Sequence, residues 1–271
     1  MSAERMVPAR WIGALTALLL LGACSSTDTE EYVEKSVNEL YNKGMESLQK
    51  GNYKAAAAAF DEVERQHPYS VWATKGQLMA AYSYYEDGEY DEAVGALDRF
   101  IQLHPSNRDV AYAYYLKGLC YYERISDVSR DQSFTDSAMH ALQEVVDRFP
   151  DSDYARDAKL KVDLARDHLA GKEMAVGRYY LNQRHYLAAI NRFKTVVDNY
   201  QTTSHLPEAL HRLGESYAAL GLVDEAQRTA AVLGHNYPGN EWYVDTYALV
   251  EDASVRPKAE EGGWFDRLKF W

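Results

Sequence analysis

The stretch LHRLGESYAALGLVDEAQRTAAVLGHNYP, residues 210–238, decides the fold. Leu210, Leu213, Gly214 and Tyr217 recur at helical spacing, Gly221 marks a turn, and a second helical run carries Ala226 and Ala230 up to Pro238. Two small residues 12 positions apart, Gly214 and Ala226, mark where the two helices cross. A large side chain there would push the axes apart. The same frame recurs upstream. Ala56, Ala93, Ala138 and Ala189 match Ala226, while Gly44, Ala81 and Gly177 match Gly214 at the same 12-residue distance.

Four residues after those alanines come Phe60, Leu97, Leu142, Phe193 and Ala230. Twelve after them come Pro68, Pro105, Pro150, Gln201 and Pro238. This is the spacing of a tetratricopeptide repeat, a helical hairpin that buries its apolar face only by stacking on its neighbours. The predicted fold is all-α: a right-handed superhelical solenoid of five such hairpins with a C-terminal capping helix, from Trp242 to about Glu251. Repeats one to three occupy residues 37–150 and repeats four and five residues 151–250.

Two repeats depart from the frame. In repeat three the first helix runs from Val110 to about Arg124 and carries Gly118, which lies 20 residues before Ala138. Eight extra residues therefore fall within 124–134, a lengthened turn of the kind that projects from one edge and carries function, with a tolerated insertion as the alternative. In repeat four no proline interrupts Asp153 to Gln183, and Ala158, Val162, Ala165 and Leu169 keep helical spacing. One helix of about twice the usual length is expected, capped by Asp151 or Ser152.

Both ends of the 271-residue chain read differently from its middle. Arg5 and Arg10 precede an apolar run, Trp11 to Ala23, too short for a membrane span and shaped like a secretory signal peptide over residues 1–23. Leu21-Gly22-Ala23-Cys24 resembles a bacterial lipobox. That resemblance implies cleavage before Cys24 and a covalent lipid on its sulfur, with no other cofactor; Ser25, in place of Asp, points to the outer membrane. Residues 24–36 read as a flexible tether. Residues 251–271 read as a flexible tail with an aromatic end, where Trp264, Leu268 and Trp271 share one helical face. Such an end suits a membrane interface or a groove on a partner.

The formal charge is −12 and no basic face is evident, which argues against nucleic acid. No catalytic constellation or metal-ligand set emerges. His140, His185, His205, His211 and His235 are scattered over different helices, and no phosphate-binding or nucleophile motif is present. Cys120 sits among Leu116, Leu119 and Tyr121 and reads as a small buried hydrophobe. A binding scaffold without enzymatic activity is the expected class.

The repeat phase gives the positions expected to be exposed on the inner wall, which the first helices line. In repeats one to three these include Tyr41, Tyr82, Tyr85, Tyr112, Tyr115 and Tyr122; in repeats four and five they are Gly171, Met174, Arg178, Leu181, Glu208, His211, Glu215 and Ala218. Tyrosine offers a large rigid contact with a polar tip. The six tyrosines are candidates for a groove that takes an extended, aromatic-bearing peptide; packing between helices is the competing role.

Three strings sharpen the picture: LDRFIQLHP (97–105), YAYYLKGL (112–119) and FPDSDYARDA (149–158). With the lipobox and five repeats, they resemble the BamD family, lipoproteins of the bacterial outer-membrane β-barrel assembly machinery. The resemblance covers about residues 30–250 and implies a non-enzymatic scaffold. Its C-terminal repeats would dock on the POTRA domains of the barrel subunit BamA, beside other assembly-complex lipoproteins. Its N-terminal repeats would recognise the aromatic-rich C-terminal signals of unfolded outer-membrane proteins. Asn191-Arg192 matches the family's partner-binding pair, which implies an ion pair from Arg192 to a BamA carboxylate. The tail from Trp264 has no counterpart in the family pattern. A pilotin for a secretin would share the anchor and hairpins but is not expected to share LDRFIQLHP and YAYYLKGL. A cell-wall hydrolase or its activator would need paired acid and base groups, and none is evident. A non-enzymatic regulator of cell-wall synthesis is the remaining alternative.

Overall fold

A computed structural model describes residues 34–252, with side-chain burial to residue 250. The leader 1–23, Cys24, most of the tether and the tail with Trp264, Leu268 and Trp271 lie outside the described residues. Every helix described below lies within residues 37–252.

Eleven helices follow one another, with no strand among the described residues. They are α1 (Val37–Gln49), α2 (Tyr53–Gln66), α3 (Val71–Glu86), α4 (Tyr90–Leu103), α5 (Val110–Tyr122) and α6 (Ser133–Arg148). Then come α7 (Asp153–Asn182), α8 (Tyr186–Asn199), α9 (Leu206–Ala219), α10 (Val223–Asn236) and α11 (Glu241–Asp252). Proline and the turn residues set the ends. Asn52, Ser70 and Ser152 accept backbone N–H bonds at the starts of α2, α3 and α7, at 3.3, 3.1 and 3.2 Å. The cap of the long helix is thus Ser152.

Each helix packs on the next in sequence. Each odd-numbered helix also touches the next odd one, whereas no even helix touches the next even one. The odd helices are therefore crowded together as the inner wall, and the even ones splay outward.

The crossing points explain the recurrent small residues. Ala56, Ala93, Ala138, Ala189, Ala226 and Ala81 are fully buried, and Gly44, Gly118, Gly177 and Gly214 are buried with them. A Cβ on Gly44 would stand 2.6 Å from the Phe60 ring, on Gly118 2.5 Å from Leu142, and on Gly177 2.5 Å from Phe193. Gly214 differs: its nearest neighbour is Thr246 at 3.7 Å, an ordinary contact. The reason lies four residues past the partner alanine, where repeat five has the small Ala230 in place of Phe or Leu.

Helix α7 is 30 residues long and serves two cores. Ala158 and Val162 pack with Val110, Tyr114, Leu142 and Val145 of repeat three. Ala170 and Met174 pack with Ala189, Ile190, Phe193, Ala209 and Leu213 of repeats four and five. Its two glycines are both in contact, Gly177 with Phe193 and Gly171 with His205 and Val128, so packing offsets their poor helix propensity.

Three expectations are corrected. Helix α5 ends at Tyr122. The lengthened turn does not project: His168 Nε2 on α7 bonds the Ser126 carbonyl at 2.7 Å, and Lys172 Nζ donates to the carbonyls of Ser129 and Arg130 at 3.1 and 3.3 Å. The turn's free carbonyls find donors on α7 and the loop lies against that helix. Gly171, Met174 and His211 are buried rather than open on the inner wall. Val128 and His205 cover Gly171, Met174 sits in the repeat-four core, and α11 covers His211.

Candidate functional site

The six tyrosines singled out by phase are all half-buried, and five share two neighbourhoods. Tyr112 and Tyr115 of α5 each lie 5.4 Å from the ring of Tyr154 on α7, the latter stacked. Tyr115 donates its phenolic proton to Asp157. Tyr82 and Tyr85 of α3 stand close enough to perturb the Tyr112 phenol. Tyr122 lies under Lys161, whose ammonium is 5.3 Å from the ring centroid and 3.1 Å from Asp157. Tyr41 belongs elsewhere: its ring packs 4.7 Å from Trp72 and 5.4 Å from Phe60, between repeats one and two.

These phenols are held protonated. Burial pushes Tyr85 up to about 12, helped by Glu123. Burial, followed by the bond to Asp157, raises Tyr115, and burial raises Tyr112. Tyr82 is raised first by its hydrogen bond to Glu86. At neutral pH the protons of Tyr115 and Tyr82 are committed to Asp157 and Glu86, and Tyr85 and Tyr112 present a neutral hydroxyl on an aromatic face, suited to a peptide backbone carbonyl beside an apolar side chain.

Repeat phase did not find Tyr154, Asp157 or Lys161. They occupy the first half of α7, which has no partner helix at repeat spacing. The available signal was their own helical spacing, which puts them on one face. Leu160 and Leu164, exposed on the same helix, continue the surface. It ends at a cavity of about 630 Å³ lined by Tyr122, Val128, Leu164, Gly171, Arg178 and His205, where the docked loop forms one side.

The second half of the chain is charged where the first is aromatic. Arg178 of α7 grips Glu208 of α9 with two bonds, Nε to Oε1 at 2.8 Å and Nη2 to Oε2 at 2.6 Å. Arg212 bonds Glu215 at 2.8 Å and lies 3.6 Å from Glu208. Burial works against the Glu208 charge, yet the two arginines together keep its carboxyl below the usual range. Asn191 and Arg192 are exposed on the outer helix α8. Arg192 already has a partner, Glu173 of α7, at 3.1 Å. A shallow pocket of about 240 Å³ beside the pair is lined by Tyr180, Ala188, Asn191, Arg192 and Thr195. Cys120 is fully buried, and burial pushes its thiol up to about 12, which makes it unreactive.

Comparison with known proteins places this architecture. A family model described as "YfiO: Outer membrane lipoprotein" matches residues 33–233. A Caulobacter vibrioides protein named outer membrane protein assembly factor BamD is 49% identical over 256 residues, covering 93% of this chain and 84% of that one. Its namesake in Rickettsia prowazekii is 49% identical over 234 residues, 86% of this chain and 93% of that one. One from Neisseria meningitidis is 35% identical, covering 81% and 88%. Among solved structures, the TPR2AB domain of yeast Sti1 in complex with pHSP90 aligns with 81% of this chain and 83% of its own, at 13% identity and a TM-score of 0.41. With the family model covering most of its length and relatives at nearly half identity, the chain belongs to the YfiO family of outer membrane lipoproteins.

Proposed function

We propose that this protein is an outer-membrane protein assembly factor, a docking scaffold of the β-barrel assembly complex that works without catalysis. The observation that carries the reading is the 49% identity, over most of both chains, to two proteins named as that factor. The finer roles extend this reading to particular residues. Cys24 carries the lipid that holds the chain to the periplasmic face of the outer membrane. The aromatic surface of α3, α5 and the start of α7 receives aromatic-rich segments of unfolded barrel proteins. Exposed Asn191 and Arg192 dock the POTRA domains of BamA. The existing pair with Glu173 implies that a partner carboxylate must share or displace that glutamate.

The test compares two variants in cells whose only copy is the variant. Tyr82→Ala, Tyr85→Ala and Tyr115→Ala together should weaken binding of an aromatic C-terminal peptide about tenfold or more, roughly 1.4 kcal/mol, with helicity retained. Arg192→Ala should keep peptide binding and lose co-purification with BamA. Normal peptide affinity in the triple variant would remove the aromatic surface from the reading. Full BamA recovery and barrel insertion with Arg192→Ala would remove the docking role of that residue.

A further inference from the structure

The turn between the two helices of a repeat has one demanding position, seven residues after the small crossing residue. Gly51, Gly88 and Gly221 fill it in repeats one, two and five, with φ of 71, 78 and 76°. In repeat four the same position is Arg184, at φ 60°, the one non-glycine residue with positive φ among the described residues. A Cβ is strained in that region, and glycine is the residue the turn calls for. Strain of this kind persists where the side chain has a use.

The side chain shows what the use is. Arg184 is exposed, and its guanidinium makes no hydrogen bond or ion pair with any of the described residues. It lines a pocket of about 320 Å³ together with Arg178, Arg212, Tyr186 and Glu215. Three guanidiniums thus converge in a chain of formal charge −12. The nearby carboxylates are Glu208, held by Arg178 and approached by Arg212, and Glu215, held by Arg212. Two negative charges face three positive ones, and the unmatched one is Arg184. Arg212 Nε is moreover buried without a hydrogen-bond partner, the one such side-chain atom among the described residues. Arg184 also borders a second pocket of about 420 Å³, with Leu187, Ala188 and Leu220, of which Leu187 is 69% exposed. At the position of Leu187, repeats one and two carry Lys54 and Asp91.

We infer that Arg184, with Arg178 and Arg212, forms a receptor for an acidic side chain of a protein partner, whose neighbouring apolar side chain rests on Leu187 and Leu220. Guanidinium forks bind carboxylates in two-point fashion. The receptor lies where the C-terminal end of α7 and the turn after it meet the middle of α9, apart from Arg192 on the outer helix.

The test uses the full mature chain in detergent and a fluorescein-labelled peptide with glutamate between two leucines, against its glutamine counterpart. The wild type should bind the glutamate peptide about tenfold tighter at low salt, with the preference falling as salt rises. Arg184→Gly should abolish the preference while its thermal midpoint rises, because the turn strain is gone. A loss of binding with a gain in stability cannot come from misfolding. Arg184→Lys should retain part of the preference. Equal binding of the two peptides, no binding by the wild type, or a preference that survives in Arg184→Gly overturns the receptor; a midpoint that fails to rise overturns the strain behind it. No other component of the assembly machinery enters the measurement, so its failure leaves the assembly role standing.

Discussion

Gly44, Gly118 and Gly177 each face the end of a large side chain at a distance no Cβ tolerates, whereas Gly214 has room for one. The four look equivalent in sequence but differ in what an added methyl would cost. Gly44→Ala and Gly177→Ala push against Phe60 and Phe193, fully buried rings that cannot swing away, so each should destabilise by about 1–3 kcal/mol. Gly214→Ala gains helix propensity at no steric expense and should stabilise by up to about 1 kcal/mol. Chemical denaturation of the three single variants measures this. A Gly214→Ala protein less stable than Gly44→Ala would show that Ala230 does not set the crossing distance in repeat five. The tyrosines carry a similar lesson. Repeat phase brought out Tyr82, Tyr85, Tyr112 and Tyr115, because their helices sit in the regular frame. It could not reach Tyr154, which lies 23 residues before Gly177, its repeat's crossing residue.

At the level of the element, α11 packs on α9 through a buried polar contact, beside which the Arg212 guanidinium lies 5.3 Å from the Trp242 ring. His211 Nδ1 bonds Thr246 Oγ1 at 2.8 Å, and Thr246 donates onward to the Trp242 carbonyl, so the His211 nitrogen is the donor. The imidazole packs 5.1 Å from the Trp242 ring. Burial, aided by Arg212, lowers its pKa below 6.5, although Glu215, Asp245 and Glu208 pull the other way. The neutral form is therefore the folded form. Between the lowered folded value and the ordinary unfolded one, the unfolded chain binds the extra proton, so stability rises with pH there. The contribution is complete above pH 6.5 and fades as pH falls through the folded value. The thermal midpoint should drop between pH 7 and pH 5, and less so in His211→Asn. An identical drop in that variant would assign the acid sensitivity to other groups. The loop of residues 123–132 is the counterpart on the other side of α7. Its extra length was plain from the spacing of Gly118 and Ala138, but its resting place depends on bonds such as His168 to Ser126, 42 residues apart.

Across the whole molecule, α7 joins two sets of repeats that share no other helix–helix contact. Repeat arrays gain cooperativity from the interfaces between neighbours, so one helix common to both cores should make the unfolding of both a single event. Asp163 is exposed near the middle of α7. Asp163→Pro removes a helical hydrogen bond and clashes with the preceding turn, at a cost of about 3 kcal/mol or more. It should also split one unfolding transition into two in calorimetry. A single transition at a lower temperature would mean that the docked loop, not the helix, couples the halves. What the sequence determined by itself was the hairpin lattice: crossing residues, five repeats, one long helix and the helix ends apart from that of α5. Those follow from contacts between near neighbours at a fixed period, and proline, glycine and alanine write that period directly. What only the tertiary structure decided was which inner positions are covered and which charges meet. Loop 123–132 over Gly171, α11 over His211 and the convergence of Arg178, Arg184 and Arg212 all join residues that no period relates. Their pairing depends on how the chain folds back across α7 and α9.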